Sequence, residues 1–215
     1  VRKERLTPTA DRSNSRPLEQ VERNVPTARK TASMIAIFSD THSTNGHELE
    51  GEALAAVREA DVVVHAGDFT SEAALEAFQQ EANQLLAVHG NADSAAVRDR
   101  LPEARVVEAG GIRFAVTHRR DGGEMGLAMF GRSRDADIVV SGHTHRPTVI
   151  ESEDCLLLNP GSHADPRGNR PGFAVLEEPE PGESGDAHGK RDGRLEGEIR
   201  EPSGTLVESF SVESN

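Results

Sequence analysis

Five short apolar runs in this chain break off at an acid, an asparagine or a histidine, and that recurring break constrains the fold most. Met34-Ile35-Ala36-Ile37-Phe38 runs into Ser39-Asp40-Thr41-His42. Val62-Val63-Val64 leads to His65-Ala66-Gly67-Asp68, and Leu85-Leu86-Ala87-Val88 to His89-Gly90-Asn91. Ile112-Arg113-Phe114-Ala115-Val116 ends at Thr117-His118, and Ile138-Val139-Val140 opens into Ser141-Gly142-His143-Thr144-His145. Short aliphatic runs of this kind, rich in β-branched residues, are buried strands. Polar groups that end successive strands gather along one edge of an open sheet, where α/β folds bind ligands. Asp40 and His42 are two apart, so an extended backbone would point both side chains at one cation.

Apolar residues at helical spacing mark helices over 48–59, 71–80, 95–100 and 126–134. Ser71 is the expected N-cap of the second, with Glu72 in its first turn. Pro102 stops the third. Gly110-Gly111 between two β-rich segments signals a hairpin. Residues 148–150 pair with 155–158 across a polar turn, 173–176 is a further strand, and 205–212 alternates as the last. Strands alternate with helices first and hairpins take over later. The fold class expected is α/β, with two packed mixed β-sheets flanked by helices.

Charge divides the chain. Residues 1–33 carry eight Lys/Arg against four Asp/Glu, a net of +4, within a total of −13. They are rich in Pro, Ser and Thr without periodicity, and read as a disordered basic arm ahead of a domain spanning 34–215. Two readings of the arm stand open: sequence upstream of a functional start at Met34, or a contact for a polyanion. Dense Gly, Pro and Glu over about 178–200 read as a flexible acidic insertion. Acid excess with only three lysines resembles proteins of salt-filled cytoplasm. No apolar run approaches the length of a membrane span, and no secretory-signal pattern is present. With Cys155 as the single cysteine, a cytoplasmic setting is expected.

Taken in order, Ser39-Asp40-Thr41-His42, Gly67-Asp68, Gly90-Asn91, Thr117-His118, Gly142-His143-Thr144-His145 and Asn159-Pro160-Gly161-Ser162 resemble the calcineurin-like metallophosphoesterases. Within that family the chain is most similar to the small YfcE-type phosphodiesterases. The resemblance implies a four-layer αββα sandwich and two adjacent divalent metal ions. One ion would be held by Asp40, His42, Asp68 and His145, and the other by Asp68, Asn91, His118 and His143, with Asp68 shared. Oxygen and imidazole donors without thiolate suit Mn, taken as the expected metal, or Fe, Ni, Co or Zn. The implied reaction is hydrolysis of small phosphodiesters by a metal-bridging hydroxide, with Asp40, Asp68 and Asn91 named as catalytic and Arg119 and Arg167 as substrate contacts.

Ala92 stands where larger relatives have a histidine after the metal-binding asparagine, which favours esters with acidic leaving groups. Asp93 matches the acid that the small subgroup has next. Phosphomonoesterase and nuclease readings share such a site, and the acid excess disfavours nucleic acid. A fold relative that serves as a scaffold in the retromer coat supplies a non-catalytic alternative, and relatives that self-associate admit a homo-oligomer. His65 and His89 either orient a ligand or fill the core. His47, His163 and His188 are expected to be solvated, and Cys155 buried.

Overall fold

The computed structural model describes residues 34–179 and 193–214. The basic arm, His188 and most of the expected acidic insertion lie outside the described residues. In chain order the elements are β1 (Met34–Phe38), α1 (Gly51–Glu59), β2 (Val62–His65), α2 (Glu72–Glu81) and β3 (Leu85–Ala87). Then come α3 (Ala95–Arg100), β4 (Ala104–Ala109), β5 (Ile112–Thr117), α4 (Gly123–Arg132) and β6 (Ile138–Val140). The chain finishes with β7 (Thr148–Glu151), β8 (Leu156–Asn159), β9 (Phe173–Glu177), β10 (Arg194–Arg200) and β11 (Leu206–Glu213).

Two sheets form. The first is six-stranded in the order β11-β10-β9-β1-β2-β3, and the second five-stranded in the order β4-β5-β6-β8-β7. Each has three adjacent parallel strands: β1/β2/β3 form one end of the first sheet beside antiparallel β9, and β5/β6/β8 form the middle of the second between antiparallel β4 and β7. Side-chain alternation along a strand then builds three cores. Ile35, Ile37, Val62 and Val64 meet Phe114, Val116, Ile138 and Leu158 between the sheets. Ala36, Phe38 and Val63 face outward onto Ala53, Val57, Leu75 and Phe78 of α1 and α2. Ala115, Val139 and Leu157 receive Phe130 of α4. Each large apolar side chain fully buried in this way contributes about 1.5–3 kcal/mol. The layers run α/β/β/α, as the resemblance implied.

Local chemistry explains most boundaries. Ser71 Oγ accepts the Ala74 N–H at 3.1 Å, so α2 is capped as expected. Gly110 and Gly111 both have positive φ, 58° and 78°, the geometry of a two-residue hairpin between β4 and β5. The first helix starts three residues later than the expected 48, at Gly51, because the backbone at Glu48 is left-handed and at Glu50 extended; the Glu52 N–H donates to the Pro202 carbonyl of the β10–β11 turn at 3.0 Å. The fourth begins at Gly123 rather than 126 and ends at Arg132.

The expected flexible segment is corrected at its end. Residues 194–200 form β10, hydrogen-bonded between β9 and β11. Leu195, Gly197 and Ile199 alternate inward, and Leu195 and Ile199 enter the core between the sheets. The period-two pattern was present, masked by the acids on the outer face. His163 is a second correction, being buried rather than solvated. Its ring packs edge-on against Phe38 at 5.5 Å, and Nε2 donates to the His47 carbonyl at 2.8 Å. His47 is half-buried, and Cys155 is buried as expected.

Candidate metal centre

The parallel strands of both sheets end at the same side of the molecule, and backbone hydrogen bonds lock their exit loops together. The Asp40 N–H donates to the Gly67 carbonyl and the His42 N–H to the Asp68 carbonyl, both at 3.0 Å. Within the second sheet, the Gly142 N–H donates to the His118 carbonyl at 2.9 Å. Gly142 is required here: a Cβ would lie 1.9 Å from Ser39 Oγ. The extended geometry expected for Asp40 and His42 is not what converges them. Asp40, His42, Asp68, His143 and His145 all have left-handed φ, between 47° and 73°. Side chains other than glycine rarely adopt that region, at about 1–3 kcal/mol each, and do so where surrounding bonds leave no alternative.

Asp40, His42, Asp68, His118 and His145 form one cluster, with all but the half-buried His42 buried. Asp68 Oδ2 lies 3.3 Å from His42 Nε2 and 3.2 Å from His118 Nε2. Asp40 Oδ1 lies 3.3 Å from His145 Nε2 and 3.7 Å from His42 Nε2. The ligand atoms of Asp40, His42 and His145 all fall within 4.8 Å of one another, as do those of Asp40, Asp68 and His118. Both groups therefore include Asp40, while Asp68 sits between His42 and His118. His143 and Asn91 are exposed beside this cluster. The His143 N–H donates to both Asp40 oxygens at 3.0–3.1 Å, and its ring meets His118 edge-on at 5.4 Å. The carbonyl of Asn91 accepts from Arg98 at 2.5 Å.

The imidazoles carry the chemical signature. His118 Nδ1 donates to the Ala66 carbonyl at 2.8 Å, and His145 Nδ1 to that of Asp165. Their buried Nε2 atoms face carboxylate oxygens yet have no hydrogen-bond partner. A histidine whose other nitrogen is tied to a carbonyl is oriented as a metal ligand is. Electrostatics agree. The His42 pKa is raised to about 9 by its contacts with Asp40 and then Asp68, against partial burial. Burial pulls His118 down, but contact with Asp68 and the two carboxylate charges outweigh it and raise its pKa. Burial alone would raise the Asp68 pKa, yet His118 and His42 hold it well below the carboxylate range. His143 is lowered by burial and then by His118 and Arg119. Two buried carboxylates packed against imidazoles suit an added positive charge, and the nitrogen and oxygen donors fit a divalent cation.

Comparison with known proteins settles the family. The model of the calcineurin-like phosphoesterase superfamily domain matches residues 34–180. The chain belongs to that superfamily. A probable metallophosphoesterase of Methanothermobacter thermautotrophicus is 34% identical over 147 residues, 66% of this chain and 84% of that protein. A phosphodiesterase of Methanocaldococcus jannaschii is 27% identical over 138 residues, 59% of this chain and 82% of that protein. Among solved structures, Vps29 of Entamoeba histolytica complexed with zinc superposes with a TM-score of 0.63 at 21% identity. That match covers 85% of this chain and 99% of the other, and shows a shared fold.

Around the cluster lies a layer that sequence reasoning only partly assigned. Asn159 donates through Nδ2 to the Gly142 carbonyl at 2.8 Å, and Ser162 Oγ donates to that of Asp40 at 2.7 Å. The Asn-Pro-Gly-Ser motif thus braces two ligand loops. His65 is fully buried and stacks on Phe69 at 3.7 Å; Nδ1 accepts the Gly67 N–H at 3.1 Å and Nε2 lies 2.9 Å from Thr41 Oγ1. It fills the core and ties the loops after β1 and β2 together. His89 is half-buried, with Nδ1 3.4 Å from the Gly90 carbonyl. Arg167 reaches the cluster, its Nη2 3.3 Å from His42 Nε2 and its Nε on Asp165 at 3.0 Å. Arg119 is exposed, 3.8 Å from Asp121, and acts on the cluster through its charge on His143.

Proposed function

We propose that this chain is a dinuclear metal-dependent phosphoesterase that hydrolyses small phosphodiesters in the cytoplasm, with Mn as its metal. The observation that carries the reading is the pair of buried imidazole nitrogens, His118 Nε2 and His145 Nε2, aimed without hydrogen bonds at the oxygens of Asp68 and Asp40. Asp40, His42, Asp68 and His145 would hold one ion, and Asp68, Asn91, His118 and His143 the other. When bound, such a pair supplies Lewis-acid stabilisation of phosphoryl charge and a water acidified toward neutral pH. The phosphodiesterase among the relatives supports the diester class.

The chain's own residues shape what it would accept. Arg167 beside His42, and Arg119 more remotely, supply cationic contacts for phosphoryl oxygens. Ala92 brings no proton donor to the leaving group, so acidic leaving groups are favoured. The lone cysteine is buried in the core cluster beneath α4, remote from these loops in the fold, and supplies no nucleophile there. The test is turnover of a panel of phosphomonoesters and phosphodiesters by Mn²⁺-loaded protein. Diester hydrolysis lost on Asp68→Asn is the expected result. No turnover of any ester with Mn²⁺, Ni²⁺ or Zn²⁺ would sink the reading.

We also read the net charge of −13 as adaptation to a salt-filled cytoplasm. The melting temperature should rise between low and molar KCl as carboxylate repulsion is screened; a flat or falling curve contradicts it.

A further inference from the structure

Asp93 is buried, 4% exposed, and pairs with no cation among the described residues. Its carboxylate instead collects three backbone N–H groups from two ligand loops. Oδ2 accepts from Asp68 at 3.0 Å and from Gly90 at 2.7 Å, and Oδ1 accepts from Thr70 at 2.7 Å. The strapping is reciprocal. The Ala92 N–H, next to Asp93, donates to Asp68 Oδ1 at 2.7 Å, and the Ser94 N–H to the Thr70 carbonyl at 3.1 Å.

An acid just ahead of a helix ordinarily serves as its cap. Here Ser94 does that, its Oγ accepting the Val97 N–H at 3.4 Å, and Asp93 bonds no amide of α3. What Asp93 binds is strained backbone: Asp68 and Thr70 have φ of 62° and 80°. Both amides on one carboxylate fix the turn in that conformation. With Oδ1 of Asp68 occupied by Ala92, Oδ2 is the oxygen left facing His42 and His118. Gly90 is drawn so close that a Cβ there would meet Asp68 Oδ1 at 2.1 Å, which also sets where Asn91 emerges.

We infer that Asp93 is a positioning residue: by clamping the Asp68 and Gly90 loops together, it sets the Asp68 oxygen between the two halves of the metal centre. The inference rests on the dinuclear reading above, and the experiment separates the two. Mn²⁺ is titrated calorimetrically into the full chain and its Asp93→Asn variant, and the loaded proteins are examined by electron paramagnetic resonance. An asparagine offers one acceptor oxygen where two are used.

The expected variant is folded by circular dichroism, binds Mn²⁺ about 10–100-fold more weakly, and replaces a coupled two-manganese spectrum by that of isolated ions. Ser94→Ala, which weakens the α3 cap alone, should lower the melting temperature and leave the coupled spectrum intact. Equal Mn²⁺ affinity and coupling in Asp93→Asn and wild type overturns the positioning role and leaves the dinuclear reading standing. A wild-type chain that binds no manganese pair overturns both. Should Asp93→Asn not fold, Asp93→Glu, with its oxygens displaced by one methylene, carries the same expectation. Loss of folding in both variants would show that Asp93 supports the fold rather than the site, and overturns the inference too.

Discussion

The two sides of the candidate metal centre are built differently. Asp40, Asp68, His118 and His145 are buried, and backbone groups or neighbouring side chains fix each of them. Asn91 and His143 are exposed, and backbone amides around them do the holding. A buried ligand set is preorganised before any cation or substrate arrives, whereas an exposed one leaves room for both. The lesson is that one side fixes the charge of the site and the other leaves access to it.

The sharpest test of that contrast is loss of activity by substitution. Asp68→Asn should lower kcat/KM by about 10³-fold, and Asn91→Ala or His143→Ala by about 10²-fold, the range spanned by removing one preorganised charge-stabilising partner. Equal losses on both sides, measured on Mn²⁺-loaded protein, would break the contrast.

The floor beneath the buried side can be probed through pH. Burial holds the His163 pKa at about 4, below its ordinary 6.5, so the folded chain keeps this imidazole neutral. The unfolded chain takes up the proton first, so stability falls as pH drops from about 6.5 to 4. The loss attributable to His163 should reach about 3 kcal/mol, at about 1.4 kcal/mol per pKa unit. His163→Asn should show a shallower decline in chemical denaturation across that window; an identical slope would count against it.

Glycine substitutions give the next effect. Gly90→Ala forces a Cβ onto the Asp68 carboxylate and should cost about 1–3 kcal/mol along with activity. Gly168→Ala meets open space at φ +83° and should cost only about 1 kcal/mol, from backbone strain. Thermal melts of the two variants would reverse this order if the Asp68 loop were slack. Smallest is Arg167→Gln. Its ion pair with Asp165 is exposed and worth about 0–1 kcal/mol, so stability should hold while KM rises a few-fold; an unchanged KM removes it from the substrate contacts.

Much of the site was legible because apolar runs broken by Asp, His or Asn need no tertiary information to be noticed. Two sheets and their flanking helices followed from periodicity in the same way. Strand β10 was missed because its outward positions are Arg and Glu and its centre is Gly197, so composition outweighed alternation. His163 was missed because nothing local to Ser162-His163 records that Phe38 and Phe78 will enclose it. Asp93 was visible as an acid in a motif, but its three amide partners come from loops up to 25 residues away.

By itself, the sequence determined which donors are available and where strands must end, since both depend on side-chain chemistry and short-range periodicity. Tertiary structure alone decided how they meet. The convergence of Asp40 and His42 comes from left-handed turns pinned by distant carbonyls rather than from strand geometry. The facing of Asp68 toward two imidazoles comes from amides of the neighbouring loop. Such bonds join residues far apart in the chain, so they exist only once both sheets have packed and brought their parallel strand ends to one side.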